Sequence, residues 1–163
     1  MVRNLKRLGA SKNELVDVYT KQCRSILELA VPVWSAGLTS DDVIALERVQ
    51  KTACAIILGR EYSGYENALE KLRLRTLEEK RVELCTKFAR KAVKNEKYKH
   101  WFVESGRSAQ DITTRSKKNT TEYKPVKFRT DRYRNSPLPY LTSLLNLCTN
   151  IQIPVPSENV TSG

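Results

Sequence analysis

Two segments of this chain begin with the same helix start signal, a hydroxyl residue followed three positions later by glutamate. The pairs are Ser11 with Glu14 and Thr76 with Glu79, and each lies directly before apolar residues at helical spacing. In such a capping box, the hydroxyl and the carboxylate each accept a hydrogen bond from a backbone N–H that the helix itself leaves unpaired. The signal therefore predicts a helix at each place, and its repetition favours an all-α fold.

A third helix start is predicted where Thr39 precedes Asp41 and Asp42. Two adjacent carboxylates also invite a metal-ion catalytic assignment. They follow a cap residue here, and acidic side chains are stabilised by the positive end of the helix dipole. We therefore interpret them as helix-start acids, with Gly59 as the left-handed stop of the same helix.

The apolar periodicity predicts an all-α, irregular bundle of four to five helices with a basic, largely extended C-terminal arm. The predicted divisions are a helical bundle over residues 1–104, a basic linker or arm over 105–135, a short docking helix over 136–148 and a disordered tail over 149–163. In the first helix, the predicted apolar face contains Leu15, Val16, Val18, Tyr19, Cys23, Ile26, Leu27, Leu29 and Ala30. Further along, Leu46, Val82 and Phe88 are predicted core residues, and Arg81 is expected to snorkel or to pair with a carboxylate such as Glu78.

Lys and Arg outnumber Asp and Glu by 29 to 18, a net charge of +11 that favours association with polyanions, of which nucleic acid is the obvious one. The four cysteines are scattered singly and there is one histidine, so spacing predicts no metal site, no cofactor and reduced thiols. The sequence offers no membrane span and no secretory leader, which favours an intracellular location in the cytoplasm or nucleus.

Basic residues gather in two places that could bind nucleic acid. One is a flank of the helix after Thr76, and the other is the arm, where aromatic residues alternate with cations. The candidate phosphate-binding residues are Lys80, Lys87, Arg90, Lys91, Lys94, Arg115, Lys117, Lys118, Lys124, Lys127, Arg129, Arg132 and Arg134, and the candidate stacking residues are Tyr123, Phe128 and Tyr133. Cations with interleaved aromatics suit RNA, although composition alone equally allows an ordinary solvated charged surface.

Five phrases in a fixed order resemble one protein family. They are S-I-L-E-L-A-V-P-V-W-S at 25–35, L-E-R-V-Q-K at 46–51, Y-E-N-A-L-E-K-L at 65–72, T-L-E-E-K-R at 76–81 and R-T-D-R-Y-R-N-S at 129–136. Together they resemble the thumb and connection region downstream of the polymerase palm in jockey-like non-LTR retrotransposon reverse transcriptases. The resemblance spans about residues 5–147.

This resemblance implies a retroelement-derived fragment of an RNA-directed DNA polymerase whose basic side chains face RNA or an RNA/DNA template-primer. That family does its chemistry with carboxylates on a palm carrying a Tyr-x-Asp-Asp turn, and no such tetrapeptide occurs here. We therefore expect the chain not to be an enzyme. The alternative is a protein-interaction module that packs on a palm domain or self-associates through an apolar strip of Ile44, Ala55 and Leu58.

Overall fold

The computed structural model describes residues 1–105 and 122–150, with side chains through Cys148. Within these residues the helices are α1 Val2–Arg7, α2 Lys12–Val18, α3 Ser25–Leu27, α4 Val31–Trp34, α5 Ser40–Leu58, α6 Tyr65–Leu72, α7 Leu77–Lys94, α8 Glu96–Lys99, α9 Asp131–Arg134 and α10 Pro137–Asn150. The described residues contain no β-strand, only an isolated antiparallel bridge between Glu104 and Tyr123. The all-α class is confirmed, but the helices outnumber the predicted four to five.

The predicted first helix is broken. After α2, a π-helical turn spans Tyr19–Arg24, α3 adds three residues, and Ala30 adopts a left-handed conformation with φ of 52°. A π turn closes i→i+5 hydrogen bonds, so the residues after it rotate away from the face that a regular helix would present. Ile26 is consequently 72 % exposed and Leu29 is also exposed, although the helical spacing predicts both in the core.

One hydrophobic core lies among α1, α2, α5 and α6. Its buried apolar residues are Val2, Leu15, Tyr19, Ala53, Cys54, Ile57, Leu58, Ala68, Leu69 and Leu72. The predicted capping box of Ser11 and Glu14 caps α2, and at the predicted helix start Thr39 and Asp42 form a box that caps α5. Asp42 is thus a helix-start acid, as the sequence predicts. The predicted box of Thr76 and Glu79 at α7 is only half formed, since the Thr76 hydroxyl accepts from Glu79 N at 3.1 Å but the Glu79 carboxylate makes no return bond to the Thr76 N–H.

A buried hydrogen-bond network crosses this core through Gln50, which is fully buried. Its Oε1 accepts a hydrogen bond from the Tyr19 hydroxyl at 3.0 Å, and its Nε2 donates to the Arg75 carbonyl oxygen at 2.8 Å and to the Tyr65 hydroxyl at 3.1 Å. The Tyr65 hydroxyl in turn donates to the Glu47 carboxylate. The network joins α5 to the π-helical turn after α2, to α6 and to the loop before α7.

The second core lies among α4, α7 and α10, with two aromatic residues from the segments around them. Its buried residues are Val31, Cys85, Ala89, Ala92, Phe102, Tyr123, Leu141, Leu144 and Leu145. The predicted core position of Phe88 is wrong, since its side chain is 39 % exposed, and Val82 and Leu46 are also only partly covered or exposed. The α7 residues buried in this core are Cys85, Ala89 and Ala92, and the helix packs against α4 and α10.

The N-terminal helix α1 is an element that the sequence patterns did not predict. Its Lys6 side chain reaches the C-terminal end of α5, where Nζ donates to the carbonyl oxygens of Ile56 at 2.6 Å and Ile57 at 3.1 Å. Carbonyls at a helix end lack intrahelical partners, so a cation there is favourable. Gly59 has the positive φ predicted for a stop, 58°, and a Cβ at this residue would lie 2.6 Å from Lys6 Nζ.

Candidate nucleic-acid interface

The basic flank of α7 is organised around one carboxylate. Glu83 accepts from Lys87 Nζ at 2.6 Å and from Lys80 Nζ at 3.1 Å, and Arg75 Nη1 lies 3.5 Å away. The hydrogen bond from Lys87, with further support from Lys80, lowers the pKa of Glu83 to about 2. Glu83 therefore stays ionised at neutral pH and offsets part of the positive charge at this end of α7.

The other end of the same flank has no such compensation. Arg90, Lys91 and Lys94 are exposed, and none of them forms an ion pair within the described part of the chain. They follow one another along the last turns of α7, where cations also complement the helix dipole. The flank thus has a beginning whose charge is partly offset by Glu83 and a cationic end without ion pairs.

The start of the described arm is fastened to the bundle. Lys124 N donates to the Val103 carbonyl oxygen at 2.8 Å, and the Asn146 side chain both accepts from Tyr123 N at 2.9 Å and donates to Tyr123 O at 2.8 Å. The Tyr123 ring is only 8 % exposed and lies edge-on to Phe102, with centroids 6.2 Å apart. A stacking role for Tyr123 is not compatible with this position, because neither ring face is open to a base.

The other two candidate stacking residues are accessible. Phe128 is 47 % exposed, and Tyr133, on α9, is exposed to a similar extent. The Arg134 guanidinium lies 5.6 Å from the centroid of the Phe128 ring, a cation–π contact that joins α9 to the extended segment. This pair presents an aromatic face and a cation together.

Phe128 also borders a groove of about 380 Å³ between the arm and α10. Its lining is predominantly apolar and includes Pro125, Val126, Phe128, Pro139 and Leu147. The sequence patterns did not identify this groove, because its walls come from two segments, the arm and α10, and neither has a binding motif of its own. Its volume and apolar walls suit a planar ring.

The described cations of the arm belong to the same segment of the chain as Phe128. Lys124, Lys127, Arg129, Arg132 and Arg134 are all exposed, and no ion pair involves any of them among residues 1–105 and 122–150. Arg115, Lys117 and Lys118 lie outside the described residues, as do 106–121 of the predicted arm and 151–163 of the predicted tail. No hydrogen bond or ion pair within the described chain joins the arm cations to the flank of α7.

Of the apolar strip predicted for protein contacts, Ile44 is exposed, Ala55 is partly covered and Leu58 is buried in the first core. Other exposed apolar side chains are Ile26, Leu29 and Val33, and Ile26 lines a groove of about 470 Å³ between the α3–α4 region and α5. The π turn and the left-handed Ala30 put them there.

Comparison with protein-family models, with curated proteins and with solved structures finds no match to this chain. Among the described residues, no helix has the length and apolarity needed to cross a bilayer. The same residues contain no group of three or more side chains placed to hold a metal ion.

Proposed function

We propose that this chain is a non-enzymatic nucleic-acid-binding module that holds RNA or an RNA/DNA template-primer. The observation that carries the proposal is the arm: unpaired, exposed cations accompany an exposed Phe128 that borders an apolar groove. The resemblance to the post-palm region of non-LTR retrotransposon reverse transcriptases supports the same function and a retroelement origin. A protein with this function works in the cytoplasm or nucleus.

The proposed binding combines two interactions, attraction between cations and phosphates and stacking of bases on aromatic rings. Lysine and arginine side chains that are not already paired gain most from phosphate, because they release counterions from the nucleic acid without breaking an internal ion pair. Exposed aromatic rings add base stacking, which tolerates any sequence. Phe128 and Tyr133 supply such rings, and the groove beside Phe128 offers an apolar wall for a base edge.

A salt titration of RNA binding tests this function directly. If the five described arm cations each neutralise a phosphate, the logarithm of the association constant should fall with the logarithm of salt concentration with a slope of about −3.5 for single-stranded RNA. The corresponding slope for a duplex is about −4.5. Fluorescence anisotropy with a labelled oligonucleotide between 50 and 300 mM salt measures both slopes, and a slope near zero would rule out the function.

Glu83 provides a separate test of the flank of α7. Glu83→Gln removes the carboxylate that Lys80 and Lys87 share, so both lysines become available to phosphate. Each added phosphate contact should strengthen binding of single-stranded RNA about fivefold at 0.1 M salt. Glu70→Gln, an exposed acid on α6, is the matched control for net charge. Equal affinities for the two variants would remove the flank of α7 from the interface.

A second function, self-association, is favoured by one observation, the exposure of Ile26, Leu29 and Val33 on neighbouring turns. Contiguous exposed apolar side chains often mark protein contacts. Sedimentation equilibrium over a hundredfold range of protein concentration should then show a rising mass in the wild type. The variant Ile26→Ser with Val33→Ser should remain a monomer, and an unchanging wild-type mass would exclude this second function.

A further inference from the structure

Arg81 is a buried cation without an internal partner. It lies on the packed face of α7, away from the basic flank, and is only 5 % exposed. Its Nη1 atom is buried and has no hydrogen-bond partner. Among the described residues no Asp or Glu oxygen lies within ion-pair distance of the guanidinium, so the expected pairing with Glu78 does not form.

Polar groups of α7 itself, of α10 and of the turn after α4 lie around this guanidinium. Burial raises the pKa of the Cys85 thiol and of the Tyr140 phenol, while the Ser35 hydroxyl and the Arg81 charge both act in the opposite direction. Ser35 comes directly after α4, and Tyr140 belongs to α10, so α4, α7 and α10 meet at this point. The more distant Glu78 carboxylate also acts on Tyr140, in the direction that raises its pKa.

A second polar group without a partner lies one helical turn before Tyr140. The Ser136 hydroxyl, at the start of α10, is buried and makes no hydrogen bond. The turn at Ser35–Gly37 approaches the same end of α10, since a Cβ on Gly37 would lie 3.8 Å from the Asn135 carbonyl oxygen. Two donors without acceptors, one of them charged, thus belong to the same junction of helices.

Two buried donors without acceptors destabilise the fold unless a bound group supplies the missing acceptor atoms. A guanidinium cannot lose its proton under physiological conditions, so it cannot relieve burial by becoming neutral. A buried charge left unpaired destabilises a fold strongly, and buried hydroxyls are normally hydrogen-bonded. A group that supplies acceptor oxygens to both Arg81 and Ser136 would remove both penalties at once.

We propose that the α4–α7–α10 junction is a binding site for a small oxyanion, a carboxylate or phosphate group held by Arg81 with help from the Ser136 hydroxyl. Guanidinium groups bind these anions bidentately through parallel N–H donors. The depth of Arg81 excludes the continuous backbone of a nucleic acid, because only a narrow group can reach a side chain that is 5 % exposed. The site is therefore distinct from the interface of the arm and does not depend on it.

The experiment is thermal unfolding of the full chain in sodium chloride, sodium phosphate or sodium acetate at matched ionic strength. A ligand that binds only the folded state raises the melting temperature, by about 5 °C once its concentration is far above its Kd. We expect such a rise in phosphate, in acetate or in both, and the two arms distinguish a phosphate group from a carboxylate. Equal melting temperatures in all three salts would overturn the proposal.

Arg81→Met separates the oxyanion site from a structural role. Methionine has a similar length and no charge, so the variant should melt in chloride at the wild-type temperature or above it, and should show no response to phosphate or acetate. Arg48→Met, which changes an exposed arginine of α5, should keep the full response. If Arg81→Met still shows the rise in melting temperature, the ion binds elsewhere and the proposed site at Arg81 is wrong.

Ser136→Ala supplies a second variant in case Arg81→Met does not fold. It removes only the unpartnered hydroxyl, so the fold should remain and the response to the oxyanion should become smaller. An undiminished response in Ser136→Ala would contradict the assignment of this hydroxyl to the site. These melting measurements contain no nucleic acid. A negative result would therefore contradict the oxyanion site only, and the RNA-binding proposal would still be tested by the salt titration.

Discussion

Replacing Gln50 by alanine is expected to lower the free energy of unfolding by about 3 to 5 kcal/mol. The substitution opens a cavity at a fully buried position and leaves the Tyr19 hydroxyl and the Arg75 carbonyl oxygen without their partners. Each unpaired buried group costs roughly 1 to 3 kcal/mol, and the lost packing adds to that cost. The loss should be large because this one side chain of α5 also holds the π-helical turn, α6 and the loop before α7.

Urea denaturation followed by circular dichroism measures this change. Gln22→Ala is the matched control, since Gln22 is exposed and its truncation should change stability by no more than about 0.5 kcal/mol. Similar midpoints for the two variants would show that the Gln50 network does not hold the first core together. Tyr19→Phe should fall between them, because it removes one hydrogen bond and leaves the packing intact.

Changing Arg129, Arg132 and Arg134 together to glutamine should weaken binding of single-stranded RNA about 100-fold at 0.1 M salt. The three residues are exposed and make no ion pairs among the described residues, so their loss should leave the fold unchanged. Three fewer phosphate contacts should also reduce the salt slope from about −3.5 to about −1.4. The reduced slope identifies the loss as electrostatic.

The control variant removes the same number of positive charges from a different part of the molecule. Arg3, Arg7 and Arg60 are exposed and likewise unpaired within the described chain, and none belongs to the arm. Their replacement by glutamine should change RNA affinity far less than the arm variant does. An equal loss in both would mean that binding follows total charge, and the arm would no longer be a specific interface.

Helix starts and stops were predictable because they depend on residues close together in the chain. A hydroxyl and an acid three positions apart can cap a helix wherever it lies: the predicted box of Ser11 and Glu14 forms, and Thr76 caps α7 as predicted although its box with Glu79 is only half formed. The predicted helix start at Thr39 is also confirmed, by a box with Asp42. Gly59 likewise ends α5 through its own backbone freedom. The all-α class therefore followed from local patterns alone.

Local patterns did not predict which candidate binding residues are exposed and able to contact a ligand. Tyr123 and Phe128 have similar neighbours in the sequence, yet Tyr123 packs on Phe102 and is fixed by Asn146, whereas Phe128 stays exposed. Asn146 lies 23 positions from Tyr123, so no local pattern signals that contact. The α7 cations differ similarly, since the sharing of Glu83 with Arg75 requires the loop before α7 to fold back.

By itself, the sequence determined where α2, α5 and α7 start, that the protein is helical, and that its positive charge is densest in the arm. Only the tertiary structure decided that a π turn exposes Ile26, that Gln50 joins α5 to α6 and two neighbouring segments, and that Arg81 is buried without a carboxylate. The physical reason is the separation along the chain between the residues that interact. Capping and periodicity act within a few residues, whereas burial and hydrogen-bond partners depend on which distant segments meet.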